Sequence, residues 1–302
     1  MTKKIIVIVG PTAVGKSALA VRLAKKLNGE VISADSRQVY RGLNIGTGKI
    51  TKKEMAGVPH HLLDVIDPRK QFSAADFVRL GSEKIAAIFS RNHIPIICGG
   101  TGFYISALLG EISLSPTPPN LKLRQKLTKK SAVELFAILE KLNPPRAAKI
   151  DRHNPRRLIR AIEIAKSKEK KVEPFFRSKV QPFKNFEIQK IGITLPQKKL
   201  KEKIRARLLA RLRKGMIAET KKLHHPPAGG GLSWKRMEEL GLEYRYIARY
   251  LQNKMTKDEM VKKLETEIWR YAKRQMTWFK RDKNIHWFLP NDKTIFEMVS
   301  NF

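Results

Sequence analysis

The sequence is poor in cysteine, in acidic residues and in long apolar runs. Cys98 is the single cysteine among 302 residues, which excludes an internal disulfide and a cysteine-rich zinc site. No apolar run approaches the roughly 20 residues that a membrane-spanning helix needs, and the run at residues 5–9 is too short for the core of a signal peptide. These absences predict a protein of the reducing cytoplasm with no membrane partner.

The shortage of acidic residues leaves a large excess of positive charge. The chain carries 62 Lys and Arg against 27 Asp and Glu, a formal net charge of +35. Its hydrophobic content of 42% is enough for a folded core, so the composition excludes a disordered chain. A strongly basic chain of this length predicts a polyanionic partner, unless the charge serves only solubility.

Short apolar runs alternate with helical patterns over the first hundred residues. Helix candidates lie at residues 17–27 and 72–90. The strand candidates are residues 5–9, 30–34, 62–66 and 94–98. Short strands that alternate with helices predict βαβ units and a parallel sheet, whose ligands bind at the carboxyl ends of the strands.

A proline-rich stretch at residues 115–119 (SPTPP) marks a boundary between two parts of the chain, because it continues neither a helix nor a central strand. Basic helical patterns follow it. The alternating stretch at residues 186–195 can return to the first sheet, and the remainder is mostly helical and basic. We therefore predict an α/β core at residues 1–115, an inserted helical subdomain that binds RNA at 116–185, and a return to the core with basic helices at 186–302.

Residues 10–17 fit the phosphate-binding pattern G-x-x-x-x-G-K-[ST] between a predicted strand and a predicted helix, the context that the pattern requires. Its glycines let backbone N–H groups and the helix N-terminus face an anion. Lys16 adds a mobile positive charge, and the Ser17 hydroxyl is placed to bind Mg²⁺. The spacing and the Lys-Ser pair favour a P-loop NTPase-like parallel sheet, with helices on both faces, over a glycine turn that only opens a helix. The predicted phosphate site comprises Gly10, Pro11, Thr12, Ala13, Val14, Gly15, Lys16 and Ser17.

The carboxylates near this site leave two kinds of chemistry open. A P-loop ATPase normally holds Mg²⁺ with an acidic residue at the end of a second apolar strand, but the 94–98 run ends in Gly-Gly-Thr-Gly. Asp64 and Asp67 lie in or just after the 62–66 run, so an ATPase or nucleotide kinase is weakened and not excluded. Asp35 follows the 30–34 run at the P-loop edge, where its carboxylate can accept a proton from a nucleophile or cap the next helix.

Several short motifs follow the P-loop along nearly the whole chain. They are residues 35–40 (DSRQVY), 45–49 (IGTGK), 60–64 (HHLLD), 73–77 (SAADF), 99–104 (GGTGFY), 154–158 (NPRRL) and 273–279 (KRQMTWF). In this order they resemble the motifs of the tRNA dimethylallyltransferases, also called tRNA isopentenyltransferases. The later motifs are far more specific than the P-loop, which many families share.

The resemblance implies a particular reaction. The family transfers a dimethylallyl group from dimethylallyl diphosphate to the exocyclic N6 amine of the adenosine at tRNA position 37, releasing diphosphate. Lys16, the backbone N–H groups and Mg²⁺ at Ser17 would then stabilise the leaving group. By resemblance Asp35 is the general base, an effect of about 10² to 10⁴ in rate. Thr101 would hydrogen-bond near the reacting phosphate or base, or else cap a helix, and His60 and His61 are expected to be structural.

The resemblance also assigns a set of tRNA-binding residues, most of them contacting the anticodon stem-loop and one, Arg124, matched to a family arginine near the substrate channel. They are Asp35, Ser36, Arg37, Gln38, Thr101, Arg124, Arg156, Arg157, Leu158, Ile159, Arg160, Lys273, Arg274, Gln275, Met276, Thr277, Trp278, Phe279 and Lys280. Cations for phosphates and aromatic rings for unstacked bases are what RNA loops require. The cationic residues 198–207 begin a further amphipathic helix, which is either a second RNA-binding face or simply a solvated one.

The chain departs from the family pattern at Gly241-Leu242-Glu243-Tyr244-Arg245, where many members have a Gly-Tyr-Lys-Glu-like element. A single cysteine cannot supply the zinc finger that some eukaryotic relatives append, so the chain resembles the compact bacterial form.

Three other functions stay open. They are a P-loop kinase or ATPase, an adenylate isopentenyltransferase acting on free nucleotides, and a non-enzymatic RNA-binding nucleotide switch. The first does not explain the net charge, and the second needs no basic helical part. The favoured interpretation is a monomeric enzyme with tRNA and dimethylallyl diphosphate as partners and Mg²⁺ as cofactor.

Overall fold

The computed structural model describes residues 3–167, 186–226 and 229–300. These residues belong to two compact units. The core unit takes its residues from Met1–Ile112 and Pro182–Phe302, and the helical unit takes its residues from Ser113–Gln181. Part of the predicted inserted subdomain, residues 168–185, lies outside the described residues.

The core unit is built on a six-stranded sheet in which every pair of neighbouring strands is parallel. Its spatial order is β3-β2-β4-β1-β5-β6. The strands are β1 (Lys3–Val9), β2 (Gly29–Ala34), β3 (His60–His61), β4 (Ile94–Gly99), β5 (Phe186–Ile193) and β6 (Ile285–Phe288). The predicted parallel α/β sheet is confirmed, and β5 returns to pair with β1 as the sequence indicated.

Four helices of the core unit precede the helical unit in the chain. They are α1 (Lys16–Leu27), α2 (Lys52–Met55), α3 (Ala74–Ser90) and α4 (Gly102–Leu108). The predicted helix at residues 72–90 begins two residues later, because Ser73 is its N-cap and forms a capping box with Asp76.

The described part of the helical unit, residues 113–167, consists of four short helices around an apolar centre that includes Leu135, Leu139, Leu158 and Ile162. The helices are α5 (Leu121–Leu127), α6 (Ala132–Leu142), α7 (Pro144–Ala147) and α8 (Pro155–Lys166). The breaks between these helices fall at prolines. Helices α7 and α8 each begin at a proline, the residue preorganised for a first helical turn.

Six more helices complete the core unit. They are α9 (Gln197–Arg213), α10 (Met216–His224), α11 (Trp234–Leu240), α12 (Leu242–Leu251), α13 (Lys257–Phe279) and α14 (Thr294–Ser300). The apolar stripes of α9 and α13 join α1 and the sheet in one large hydrophobic core. None of the described helices is long and apolar enough to cross a membrane.

The predicted strand at residues 62–66 is wrong. The chain forms only the two-residue β3 just before it, and residue 66 makes a single bridge to Tyr40. Leu62 and Asp64 have φ angles of 62° and 55°, left-handed conformations that interrupt an extended strand. Leu62 is buried, but Val65 is exposed, so the run is not a core strand.

Candidate active site at the carboxyl edge of the sheet

The P-loop connects β1 to α1 in a backbone conformation that only certain residues permit. Gly10 has a φ of 138°, and a Cβ there would lie 2.2 Å from the Ile193 carbonyl oxygen. Gly15 is the N-cap of α1 with a φ of 94°, and no side chain caps the helix. The N–H groups of the first turn are therefore directed at the cavity without a side-chain acceptor, which suits an anion.

Lys16 folds back over this loop. Its Nζ donates to the Pro11 carbonyl oxygen at 2.7 Å. Burial lowers the pKa of Lys16 to about 8, and the charge of nearby Arg207 acts in the same direction. A lysine held this way gains most from an anionic ligand, because the ligand compensates both the lost hydration and the neighbouring positive charge.

Asp35 follows β2 and makes a tight turn. Its Oδ1 accepts from the Arg37 N–H at 2.8 Å and from the Gln38 N–H at 3.2 Å. The predicted alternative, a cap on the next helix, is wrong, because that helix is α2 and Thr51 caps it. The two hydrogen bonds of Asp35 stabilise a turn and occupy one oxygen. Among the described residues, no hydrogen-bond donor reaches Oδ2.

Thr101 stands beside Asp35 at the end of β4. It occupies the N-cap position of α4, yet its side chain makes no capping hydrogen bond. Its Oγ1 instead accepts from the Ser36 N–H at 3.1 Å, and its side chain is hydrogen-bonded to that of Tyr271. The turn after β2, the turn after β4 and α13 are thus joined at one point.

Two cavities meet at Asp35. The P-loop cavity, of about 170 Å³, is lined by Lys16, Ser17 and other residues at the strand ends. The arginine cavity, of about 270 Å³, is named for the arginines along its wall. Five residues line both cavities: Thr12, Asp35, Thr47, Arg207 and Tyr271. The cavities therefore adjoin, and Asp35 is accessible from either side.

Arg207 is a site residue that the sequence analysis did not identify. Its guanidinium group donates to the Thr12 hydroxyl of the P-loop. Burial lowers the pKa of Arg207, and the charge of Arg211 lowers it further. A signal was present in α9, because Arg207 and Arg211 continue the buried stripe of Leu200, Ile204 and Leu208 at helical spacing. A cation on an otherwise apolar stripe is the pattern that could have revealed them.

Gln275 ties α13 to the P-loop and does not face solvent. Its Oε1 accepts from the Thr12 N–H at 2.8 Å, and its Nε2 donates to the Gly100 carbonyl at 2.9 Å. A Cβ on Gly100 would lie 2.1 Å from Nε2, so the contact requires glycine. Gln275 was predicted to contact RNA, but only 6% of its surface is exposed.

The remaining residues predicted to contact RNA on α13 divide by exposure. Phe279 lies in the apolar core, so its side chain does not face a ligand at the surface. Trp278 is half-buried against Gly102 and Phe103, and Met276 is also half-buried. The exposed side chains are those of Lys273, Arg274, Thr277 and Lys280.

The corresponding set in the helical unit divides in the same way. Leu158 and Ile159 are core residues, which corrects their prediction as RNA contacts. Arg156 and Arg157 are exposed. Arg124 and Arg160 are instead engaged within the unit by Glu163, which is buried.

Arg124 donates to both oxygens of Glu163, at 2.7 and 2.8 Å. Arg160 donates to the same carboxylate at 3.2 Å, and the Asn120 N–H donates to it at 2.9 Å. Arg160 also donates to the Thr117 carbonyl at 2.7 Å. These hydrogen bonds give both arginines a role in holding the helical unit together.

The carboxylates that favoured an ATPase lie away from the P-loop. Asp64 pairs with Lys49 at 2.5 Å, and Asp67 pairs with Arg69. Neither lines the P-loop cavity or the arginine cavity. His61, for which the sequence offered no acidic partner, lies 2.5 Å from Glu30. The described residues contain no group of three or more His, Cys, Asp or Glu side chains that could hold a metal ion.

Comparisons with known proteins identify a family. The family model described as IPP transferase matches residues 38–282, and that of isopentenyl transferase matches residues 3–72. The chain is 43% identical over 296 residues to tRNA dimethylallyltransferase 2 of Treponema denticola, covering 94% of this chain and 95% of the relative. It is 38% identical over 301 residues to the tRNA dimethylallyltransferase of Anoxybacillus flavithermus, covering 100% and 95%.

Solved structures resemble it over almost the full length. The tRNA isopentenylpyrophosphate transferase of Bacillus halodurans superposes with a TM-score of 0.71 at 37% identity, covering 99% of this chain and 95% of that one. A eukaryotic dimethylallyltransferase acting on tRNA superposes with a TM-score of 0.78 at 26% identity, covering 99% and 77%. With a family model that spans most of its length and relatives near 40% identity, the chain belongs to the IPP transferase family.

Proposed function

We propose that this protein transfers the dimethylallyl group of dimethylallyl diphosphate to the N6 amine of the adenosine at tRNA position 37, releasing diphosphate. The observation that carries the proposal is the position of Asp35, in the wall shared by a phosphate-binding cavity and a second cavity. A transfer between two substrates needs such a meeting point. A nucleotide kinase or ATPase would instead be expected to place an acidic Mg²⁺ ligand at the P-loop.

The diphosphate of the donor is assigned to the P-loop cavity. Negative charge grows on the leaving diphosphate as the allylic C–O bond breaks. The N–H groups of the first turn of α1, the Lys16 ammonium and the Arg207 guanidinium border this cavity and are fixed before the reaction begins. Preorganised donors of this kind stabilise developing charge without reorganisation at the moment of reaction.

The residues present fit a Mg²⁺ ion that the substrate helps to hold. The exposed Ser17 hydroxyl lines the P-loop cavity and supplies one oxygen ligand. Mg²⁺ commonly keeps several waters and binds few protein groups together with substrate phosphates, so one hydroxyl is a sufficient protein anchor. When bound, the ion would neutralise charge on the diphosphate.

The acceptor adenine is assigned to the arginine cavity. Its amine is a weak nucleophile because the lone pair is delocalised into the ring, so a base that removes a proton as the C–N bond forms assists the transfer. Asp35 is the base in this proposal. Its Oδ1 is fixed by two backbone N–H groups, which leaves Oδ2 to accept the proton. Thr101 and Tyr271 hold the turn next to it.

The tRNA itself is assigned to exposed cations of both units. In the core unit these are Lys273, Arg274 and Lys280, and in the helical unit Arg156 and Arg157. Base extrusion from the anticodon loop costs a few kcal/mol, which phosphate contacts of this kind offset. We propose that the protein acts on tRNA as a monomer in the cytoplasm.

The test is a transfer assay with purified protein, Mg²⁺, labelled dimethylallyl diphosphate and unmodified tRNA. Label is expected in tRNA, at the adenosine of position 37, with release of diphosphate. AMP and ADP serve as competing acceptors, and ATP as a competing substrate. Brisk ATP cleavage without labelled tRNA would establish the kinase or ATPase alternative. Labelled AMP with unlabelled tRNA would establish an adenylate isopentenyltransferase.

A further inference from the structure

One loop forms part of the wall of both cavities. Gly46 lines the arginine cavity, Gly48 lines the P-loop cavity, and Thr47 lines both. This loop, residues 44–48, lies outside every helix and strand of the core unit. It has no ladder hydrogen bonds. The Gly48 N–H donates to the Ile45 carbonyl oxygen at 3.0 Å within the loop, and a side chain from elsewhere binds three of the amides that remain.

A single carboxylate, that of Glu219 in α10, accepts hydrogen bonds from three amides of this segment. Its Oε2 accepts from the Asn44 N–H at 3.1 Å and from the Ile45 N–H at 2.7 Å. Its Oε1 accepts from the Gly46 N–H at 3.0 Å and from the Tyr244 hydroxyl at 2.9 Å. Three successive backbone donors and one hydroxyl thus converge on one negative charge, and hydrogen bonds to a charged acceptor are the stronger kind.

The first residues of α12, where the chain departs from the family pattern, also contact this loop. Tyr244 packs on the loop so tightly that a Cβ on Gly46 would lie 2.7 Å from its ring. Arg211 donates to the Gly46 carbonyl oxygen at 3.2 Å and to Glu243 at 3.2 Å. Leu242-Glu243-Tyr244 therefore supports the loop through Tyr244 directly and through Glu243 by way of Arg211.

The loop is in turn connected to Asp35. The Gln38 side chain donates to the Gly48 carbonyl oxygen at 3.3 Å, and the Gln38 backbone N–H donates to Asp35 Oδ1. A displacement of residues 44–48 would move the side chain of Gln38 and the residues around the point where the two substrates meet.

We propose that Glu219 is a positioning residue for the transfer reaction. Its carboxylate holds residues 44–46 and so fixes the wall formed by Gly46, Thr47 and Gly48, which keeps donor and acceptor aligned at Asp35. This inference rests on the proposed function. Glu219 lines neither the P-loop cavity nor the arginine cavity, so it acts through the loop and not on the substrates.

Glu219→Gln tests the proposal with little change in shape. The amide keeps one acceptor oxygen but turns an NH₂ group towards backbone N–H donors, so the tether is broken on one side. We expect hydrogen exchange of the residue 44–46 amides to accelerate about tenfold, with no change in β1 or β4. We expect kcat to fall about 10- to 100-fold, because small misplacements of reacting groups are costly. Affinity for dimethylallyl diphosphate should stay within about twofold, since the P-loop is untouched.

The matched control is Glu259→Gln, which removes the carboxylate of the α13 capping box, away from both cavities. It should leave kcat and the exchange of residues 44–46 unchanged. A second variant, Tyr244→Phe, removes one of the four hydrogen bonds and should give a smaller loss of kcat in the same direction.

Two results would overturn the proposal: unchanged exchange at residues 44–46 in Glu219→Gln, or faster exchange with a wild-type kcat. If the wild-type protein fails to modify tRNA, the proposed function is refuted. The exchange measurement still decides whether Glu219 holds the loop in that case, so the two failures are distinguishable.

Discussion

Two carboxylates, one in each unit, relate differently to nearby arginines: Glu163 forms ion pairs with two of them, whereas Asp35 forms no ion pair among the described residues. In the helical unit, Glu163 accepts hydrogen bonds from Arg124 and Arg160. In the described part of the core unit, Arg207 has no carboxylate within ion-pair distance, and its hydrogen bond goes to the Thr12 hydroxyl. Asp35 is held only by backbone N–H groups.

The pKa shifts of the arginines follow the same division. The hydrogen bonds that Arg124 donates to Glu163 raise the pKa of Arg124, whereas burial and the charge of Arg211 lower the pKa of Arg207. A compensated arginine contributes to the fold. An uncompensated arginine at a cavity is unfavourable until an anion arrives, and this is the electrostatic condition expected of a site for a diphosphate.

The largest expected effect is at the unpaired carboxylate. In Asp35→Asn the amide oxygen still accepts from the two N–H groups of the turn, so the fold should persist while the base is lost. We expect kcat to fall about 10²- to 10⁴-fold in single-turnover transfer to tRNA. Affinity for tRNA and the melting temperature should stay at wild-type values. A near-wild-type rate would remove Asp35 from the role of general base.

The comparison predicts opposite results for two arginines. Arg207→Gln should lower kcat/KM for dimethylallyl diphosphate about 10²- to 10³-fold, because a preorganised donor to the leaving group is lost. It should not lower the melting temperature, since the variant removes an uncompensated, partly buried charge. Arg124→Gln, its matched control, should show the reverse, with a lower melting temperature and unchanged affinity for the donor. Equal behaviour of the two variants would contradict the division.

Glu163→Gln tests the structural half of the comparison. Removing this carboxylate leaves two arginines without their partner. We expect the free energy of unfolding to fall by about 2 kcal/mol. The loss is smaller than for a fully buried pair because both arginines are partly exposed. Burial alone would raise the pKa of Glu163, but donors from Arg124, Asn120 and Arg160 outweigh it and lower the pKa. The stabilisation is therefore present above the unfolded pKa near 4.5 and is lost as the pH falls towards the folded value.

Hydrogen exchange of α8 amides measures this effect where it arises. The difference in protection between wild type and Glu163→Gln should be largest near neutral pH and should shrink in acid. A constant difference across that range would mean that the carboxylate charge is not its source.

The half of the site built from contiguous residues was predictable from the sequence. Gly10, Gly15, Lys16 and Ser17 act through local backbone geometry, so their spacing alone identifies a phosphate site. Asp35 was found because it ends a recognisable strand. The parallel sheet followed from the alternation of apolar runs and helices.

The other half depends on contacts between residues far apart in the chain. Gln275 reaches Thr12 across 263 positions, and Arg207 reaches it across 195. Resemblance placed Gln275 in the right motif but could not distinguish a buried tether from an exposed RNA contact. Glu219 carried no local signal, because its partners are backbone N–H groups that every sequence has.

The smallest expected effect is on tRNA binding, where a paired and an unpaired arginine at the protein surface can be compared. Arg270 and Arg274 are both exposed on α13, one turn apart. The Arg270 guanidinium lies 2.6 Å from the Glu267 carboxylate. Arg274 has no carboxylate partner among the described residues. Arg274→Gln should weaken tRNA binding about threefold near physiological salt and reduce the salt dependence by about one phosphate contact. Arg270→Gln should change tRNA binding less, because its charge is already compensated. Since Arg274 also lines the arginine cavity, weaker diphosphate binding with unchanged tRNA affinity would place it with Arg207 and not on the RNA-binding face.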